Sequence, residues 1–527
     1  MGKEIGIDFG TTNTVVSYVN KSGNLQQLRY DSKKIIPTVI YFQSQDEYFI
    51  GEKAKKFLAE KPQAGADNFK PKIGSSDKYE IFPEEGKPFE KKFMDIAQLF
   101  LSKIVEGIEI KLLKEFGAVE GCIDRAVITV PANFNSTEKD NIKKAAMAAN
   151  LDNVKVAAEP TAAAIAYEDS QGDEDSDAVI LVYDFGGGTF DVSIVHRKGG
   201  VFEEITTGGD KYLGGNTLTA VLAEEILNKI NDDYGADFPF NEDDFDAEEC
   251  EISLTDYKKN MKEIWNAANT IKEDLSDAEE ISTNFNFILP GGVNEQITVE
   301  FSREEFENYI SEYIDRTVDI TMQTIQRAKD EKDVEKIDQI VLAGGSSNIP
   351  LVKETLASRL QSQDIVFCDD VSTLISRGAA IYAKRYADSD NLSTNVTTVQ
   401  MGTVATEGVF FGKFQPIIPE DTPLPCTQKR TFSLSQDNLQ KFEIKYYERD
   451  IKNYPNAIFA IDDGIEEINS IMIENLPPNL KASEVQVEVT FTAQKDGTLD
   501  INVELKDSSG KKIQSESMNF KKKSDLE

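Results

Sequence analysis

One motif occurs twice in this chain, and the rest of the sequence has to fold around both copies. Ile5-Gly-Ile-Asp-Phe-Gly-Thr-Thr-Asn-Thr-Val-Val-Ser-Tyr-Val19 and Leu181-Val-Tyr-Asp-Phe-Gly-Gly-Gly-Thr-Phe-Asp-Val-Ser-Ile-Val195 share the spacing D-F-G-x5-V-S-x-V. Each reads as a β-hairpin, an apolar run ending at an aspartate, a glycine-bearing turn and a second alternating run. Asp8-Phe9-Gly10 falls on Asp184-Phe185-Gly186, and Val16-Ser17 on Val192-Ser193. A repeat this far apart predicts two similar halves facing one ligand. In the second copy Asp184 and Asp191 flank the glycine turn, with Thr189 between them. Bare turn N–H groups suit phosphate, but carboxylates repel it. A divalent cation removes the conflict, since magnesium is usually held by carboxylates, waters and substrate phosphates. The stretch is therefore a candidate Mg-nucleotide site, against the plainer reading of a structural glycine hairpin.

Bulk properties exclude several alternatives. With 527 residues several domains are expected. The net charge of −36 argues against nucleic acid or an anionic membrane as partner, because the long-range field repels both. Cys122, Cys250, Cys368 and Cys426 are far apart, without CxxC spacing, and read as reduced thiols of a cytoplasmic protein. His196 is the one histidine, which excludes a zinc site or a histidine-based triad. The start, Met-Gly-Lys-Glu-Ile, has no apolar leader, and no run approaches the length of a membrane-spanning helix. A soluble, non-exported protein is expected.

Taken in order, residues 91–116 carry a helical apolar stripe through Phe93, Ile96, Phe100, Ile104, Ile108 and Leu112, stopped at Gly117. Ala126–Pro131 reads as a strand, and Ser136 or Thr137 as the cap of a helix running to Asn150. Glu159-Pro160 opens another helix. Lys70 lies in a loop before a proline, where a lysine is ordinarily just solvated. Residues 232–251 form an acidic surface insert, and a helix over 257–275 holds Trp265. Asp338–Pro350 reads as strand, glycine turn and helix; a turn at a strand's carboxyl end is where α/β sheets bind ligands, and Gly344-Gly345 leave room for an adenosine. Helices over 351–360 and 374–387 close an α/β domain at 1–387. A polar linker, 388–395, follows. From Val396 short alternating runs such as Val485–Phe491 and Leu499–Leu505, divided by turns at 495–497 and 508–510, predict an antiparallel β-sandwich to about residue 515. A charged tail, 516–527, completes the chain.

These motifs together resemble the 70-kDa heat-shock (DnaK-type) chaperones. The matching stretches are IGIDFGTTNT, AVITVPANFN, EPTAAAIAY, VYDFGGGTFDVS, YLGGN and IVLAGGSSNIP, followed in the β domain by FQPIIPEDTPLP, TFSLSQDN and EVTFTAQKDGTLDINVELKD. The resemblance implies a duplicated, ribonuclease H-like (actin-like) ATPase domain followed by an all-β, peptide-binding sandwich. It implies ATP or ADP with Mg²⁺ in a two-lobed cleft. By position, Asp8 and Asp184 would hold the metal, and Gly10, Thr11, Thr12, Asn13, Gly186, Gly187, Gly188, Gly214 and Gly215 the phosphate end. Lys272, Ser276, Gly344, Gly345, Ser346 and Asn348 would line the nucleoside. Lys70, Glu159, Asp184, Thr189 and Asp191 would serve hydrolysis, and Pro131 would be the family's switch proline. The implied partners are unfolded polypeptides, a J-domain co-chaperone and a nucleotide exchange factor, and a monomer is expected.

The chain also departs from the family pattern. Lys139 replaces an arginine. Asn269, Glu273 and Asn348 replace charged residues around the adenosine, so a cationic face over the base is lost. The apolar linker becomes Asn391-Leu-Ser-Thr-Asn395, which predicts weaker coupling. Phe442 replaces a valine at the floor of the peptide pocket, with Ser433, Ile444 and Thr406 as neighbours, so a narrower pocket is expected. The family's helical lid has no counterpart, so substrate is expected to leave faster. The leading expectation is an ATP-hydrolysing chaperone. The alternatives are a regulatory protein of the same fold, in which ATP binding rather than turnover controls partners, and an actin-like filament protein or sugar kinase, to which the β-sandwich is foreign.

Overall fold

Both copies of the motif fold as antiparallel hairpins at the centre of matching sheets. In the first, Lys3–Phe9 pairs with Asn13–Val19, Asp8 opposite Val15. In the second, Ala178–Phe185 pairs with Phe190–Lys198, Asp184 opposite Asp191. The sheet order is Val154–Ala158, Ile123–Val130, Lys3–Phe9, Asn13–Val19, Leu25–Gln27 in one lobe. In the other it is Ile365–Val366, Gln339–Ala343, Ala178–Phe185, Phe190–Lys198, Val201–Asp210. Strand directions agree position by position: three parallel strands, then the hairpin partner and one more antiparallel strand. The chain is seen here as a computed structural model that describes residues 3–519 except 21, 118–122, 133, 172–176, 200, 333, 361–364, 367–370, 386–392, 395, 408–409, 452–453 and 495–497. Most of the expected linker, the turn 495–497, Cys122, Cys368, the side chain of Ser136 and the tail from 520 lie outside the described residues.

Two crossing helices, Glu159–Gln171 and Val371–Arg385, fill the space between the sheets. Ala162, Ala163, Ile165 and Ala166 of one share a buried core with Leu374, Ile375 and Ala379 of the other and with Val127, Ile180 and Val182 of the two sheets. The alanine-rich first helix lets the backbones approach closely. A Cβ on Gly378 would stand 1.7 Å from the Ala162 carbonyl oxygen. The stripe predicted at 91–116 forms the helix Phe93–Phe116, ended by Gly117 at φ 65°. The next helix is Ser136–Ala148, but its cap is Asn135 rather than Ser136 or Thr137. The Asn135 side chain accepts from Glu138 N while Glu138 accepts from Asn135 N, a closed capping box. The acidic segment holds a short helical turn, Glu242–Asp244, pinned by buried Phe238 and Cys250 and by Phe245 stacked on Tyr257.

The C-terminal part is a sandwich of two four-stranded antiparallel sheets. One orders Phe410–Ile418, Gln400–Glu407, Phe442–Arg449 and Ile465–Ile473; the other orders Cys426–Ser433, Val485–Ala493, Leu499–Asp507 and Lys512–Asn519. Alternation aims Val487, Val489, Phe491, Ile501, Val503 and Leu505 inward, against Ile417, Tyr446 and Ile473. The sandwich is docked on the N-terminal half. Ser393–Thr394 adds to the sheet beside Phe202 and Glu203 as a parallel strand. Thr206 Oγ1 donates to Asp421 Oδ2 at 3.0 Å, and Lys332 Nζ donates to the Asp421 carbonyl at 3.1 Å.

Candidate functional site

The hairpin turns of the two lobes face each other. Gly188 and Gly187 abut Thr11 and Thr12: a Cβ on Gly188 would stand 2.8 Å from Thr11 Oγ1, and one on Gly187 2.2 Å from Thr12 Oγ1. Gly214 closes the cradle from behind, where a Cβ would meet the Gly188 carbonyl carbon at 2.5 Å. Gly215 N and Asn216 N donate to the carbonyls of Gly186 and Gly187. Gly10 is held by Thr38, whose hydroxyl donates to its carbonyl at 2.9 Å. Gly187, Gly188 and Gly214 have no room for a Cβ, so at these positions bare backbone lines the cradle.

Acidic groups converge on this cradle. Asp8 ends its strand and accepts from Thr129 Oγ1 at 3.4 Å. Asp184, 4% exposed, has an Oδ2 with no hydrogen-bond partner. Asp191 and Thr189 are buried beside it. Lys70 is no solvated loop lysine. It opens a short 3₁₀ turn, is 1% exposed, and donates to Glu159 Oε1 at 2.9 Å beneath the rings of Phe9 and Phe134. Burial first, and then the Glu159 charge, push Asp8 up to about 7, while Lys70 and the Thr129 hydroxyl pull it back. Burial, and then Glu159, Asp191 and Asp8, hold Asp184 well above the usual carboxylate range. Such a cluster is short of positive charge, and a divalent cation supplies it. Among the described residues no three acidic, histidine or cysteine side chains form an all-protein metal cage. The unpartnered Asp184 Oδ2 and the raised Asp8 fit an ion taken by these two carboxylates together with waters and phosphate.

Farther along the second lobe Lys272, buried, donates to the Gly215 carbonyl, Thr219 Oγ1 and Asn269 Oδ1 at 3.1, 2.8 and 3.0 Å. Burial pushes it down to about 8. Ser346 Oγ donates to the Gly186 carbonyl at 2.9 Å, which ties this wall to the cradle. Asn269 donates to Glu273, so the position without a cation is occupied by an amide-to-carboxylate contact. Asn348 turns to the Gly345 carbonyl, Asn13 is exposed and Ser276 is half-buried, while Gly344, at φ 79°, lies against Asp184: a Cβ there would stand 2.5 Å from Asp184 Oδ1. Sequence reasoning missed Thr129, Phe134, Thr38 and Thr219, which act through tertiary contacts and lie in no glycine motif. In the sandwich, Phe442 and Ile444 pack against the core while Thr406 and Ser433 are exposed.

The family model described as "Hsp70 protein" matches residues 4–527. The chain is 29% identical over 523 residues to the chaperone protein DnaK of Thermotoga neapolitana, a match spanning 97% of this chain and 79% of that protein. It is 30% identical over 517 residues to the chaperone protein DnaK of Nitrosopumilus maritimus, spanning 96% and 74%. No helix of the described residues is long and apolar enough to cross a membrane.

Proposed function

This chain belongs to the Hsp70 family, and we propose that it is an ATP-dependent chaperone that hydrolyses ATP slowly in its cleft and holds extended apolar polypeptide segments in its β-sandwich. The observation that carries the reading is Lys70, desolvated and bonded to Glu159 in the same charge cluster as Asp8 and Asp184. Asp8 and Asp184 would hold Mg²⁺, which when bound offsets the charge of the carboxylates and phosphates. The turn at Gly186–Gly188, with Thr11 and Thr12 opposite, offers N–H and hydroxyl donors to the phosphate end. Phosphoryl transfer is mainly positioning and charge neutralisation, and Lys70 supplies a fixed ammonium that needs no reorganisation. Glu159 and Asp191 would orient the attacking water and take its proton. The Lys272, Gly215 and Ser346 wall takes the nucleoside. The docked sandwich is the route by which ATP changes peptide release, with a J-domain co-chaperone and an exchange factor as expected partners in a cytoplasmic setting.

Purified protein is expected to turn over ATP in the presence of magnesium. Lys70→Ala should lower single-turnover hydrolysis by roughly 10²–10⁴-fold while nucleotide binding persists. A wild type that binds ATP but never hydrolyses it would instead support the reading in which binding alone controls partners.

A further inference from the structure

The helix Glu159–Gln171 carries an ion pair at each end. At its first residue, Glu159 Oε1 accepts from Lys70 Nζ at 2.9 Å, inside the charge cluster of the cleft. Toward its far end Glu168 is fully buried, and its Oε2 accepts from Arg385 Nη1 at 2.7 Å. Arg385 Nη2 reaches the neighbouring, exposed Asp169 Oδ1 at 3.4 Å. Glu168 Oε1 is buried with no hydrogen-bond partner, so this carboxylate depends on the guanidinium. Arg385 is the last residue of the helix Val371–Arg385. From it the chain runs through 386–392 to Ser393–Thr394, the strand laid beside Phe202 and Glu203.

We propose that Glu168 and Arg385 are positioning residues that pass the state of the cleft to the root of the linker, a role that rests on the cleft being an ATP site. The helix between the two ion pairs is a stiff rod. Every residue from Glu159 to Glu168 is buried, and these two lie about 14 Å apart along the axis. The rod is clamped near its start. A Cβ on Gly378 would stand 1.7 Å from the Ala162 carbonyl oxygen, so the two helices touch backbone to backbone. A displacement of Glu159 as metal and phosphate enter is therefore carried to Glu168, because a close-packed interior transmits strain. At Glu168 water cannot absorb it. A buried carboxylate that loses its partner is strongly penalised, so Arg385 follows. The end of its helix moves with it and re-aims the linker, which changes how well Ser393–Thr394 pairs with the sheet. The linker thus has a preferred position for each state of the cleft.

Hydrogen exchange of the Ser393 and Thr394 amides in the full chain, with saturating magnesium and either ATP or ADP, reads the linker's position. In the wild type the two nucleotides should differ by roughly tenfold in exchange rate. Glu168→Gln combined with Arg385→Met removes both charges and keeps the bulk of the pair. It should cut the difference to less than about threefold while single-turnover hydrolysis stays at the wild-type rate. Arg385→Lys, which retains the charge, should keep most of the difference. A role confined to holding the fold would move hydrolysis and exchange together. A double variant with the full nucleotide response would overturn the proposal. A wild type that hydrolyses ATP while its linker ignores the nucleotide would overturn it and leave the ATPase reading standing; a wild type that binds no ATP would remove both. Were the double variant not to fold, the ¹⁵N resonance of the Arg385 guanidinium in the wild type decides. It should shift between ATP and ADP, and an unmoved signal would overturn the proposal equally.

Discussion

A buried aspartate with one bare oxygen, as Asp184 is, costs the folded protein free energy that a bound cation returns. The same holds for Asp8, pushed up to about 7 by burial and by Glu159. For a carboxylate raised on folding, the ionised form is the penalised one. The cost grows as pH rises from the ordinary carboxylate range to about 7, and the proton competes with the metal below that point. Magnesium-dependent ADP binding, measured by titration calorimetry, is therefore expected to weaken roughly tenfold or more per pH unit below about 7 as the metal displaces protons from Asp8 and Asp184. Asp8→Asn should bind more weakly throughout and show a shallower slope, the remainder belonging to Asp184, which burial also raises; an Asn variant with the full wild-type slope would place the titration elsewhere.

At the scale of elements, the crossing of Glu159–Gln171 and Val371–Arg385 is what joins the lobes, and it has no room to spare. Gly378→Ala places a methyl within bonding distance of the Ala162 carbonyl oxygen, so the helices must part. A loss of about 1–3 kcal/mol in chemical denaturation is expected. Much of this level was legible in the sequence. The two hairpins announce themselves because glycine and aspartate in a fixed order serve both the turn and the ligand. The stripe from Phe93 to Leu112 is plain helical periodicity ended by glycine. What periodicity does not carry was illegible. Asn135 outcompetes Ser136 and Thr137 as cap through its bond to Glu138 N, a choice among adjacent capping residues. Lys70 reads as a loop residue because its burial is made by Phe9, Phe134 and Glu159, all distant in the chain. Only the family resemblance singled it out. Thr129 lies in the AVITVPANFN stretch near the end of its strand, but nothing in that stretch marks its bond to Asp8, which exists only across the sheet.

For the molecule as a whole, the docked sandwich rests on a few polar contacts. Thr206→Val removes the hydroxyl that meets Asp421 and should weaken docking by about 1 kcal/mol, or roughly fivefold. The ATP-induced acceleration in release of a fluorescent apolar peptide should shrink accordingly, with basal ATP turnover unchanged. An unaltered acceleration would mean that this contact is not on the route between the domains.

The polar linker acquires a different meaning from its pairing. Ser393 and Thr394 lie beside Phe202 and Glu203 through a strand ladder, and Val396 N reaches Glu204 Oε2 at 3.4 Å. All of these bonds use the linker's main chain, which every amino acid except proline supplies in full. A tether read by its amides can drift in side-chain chemistry and still lie in the same groove. Loss of leucines there is then poor grounds for calling the two halves disconnected, and a proline at Thr394 would be the more damaging change.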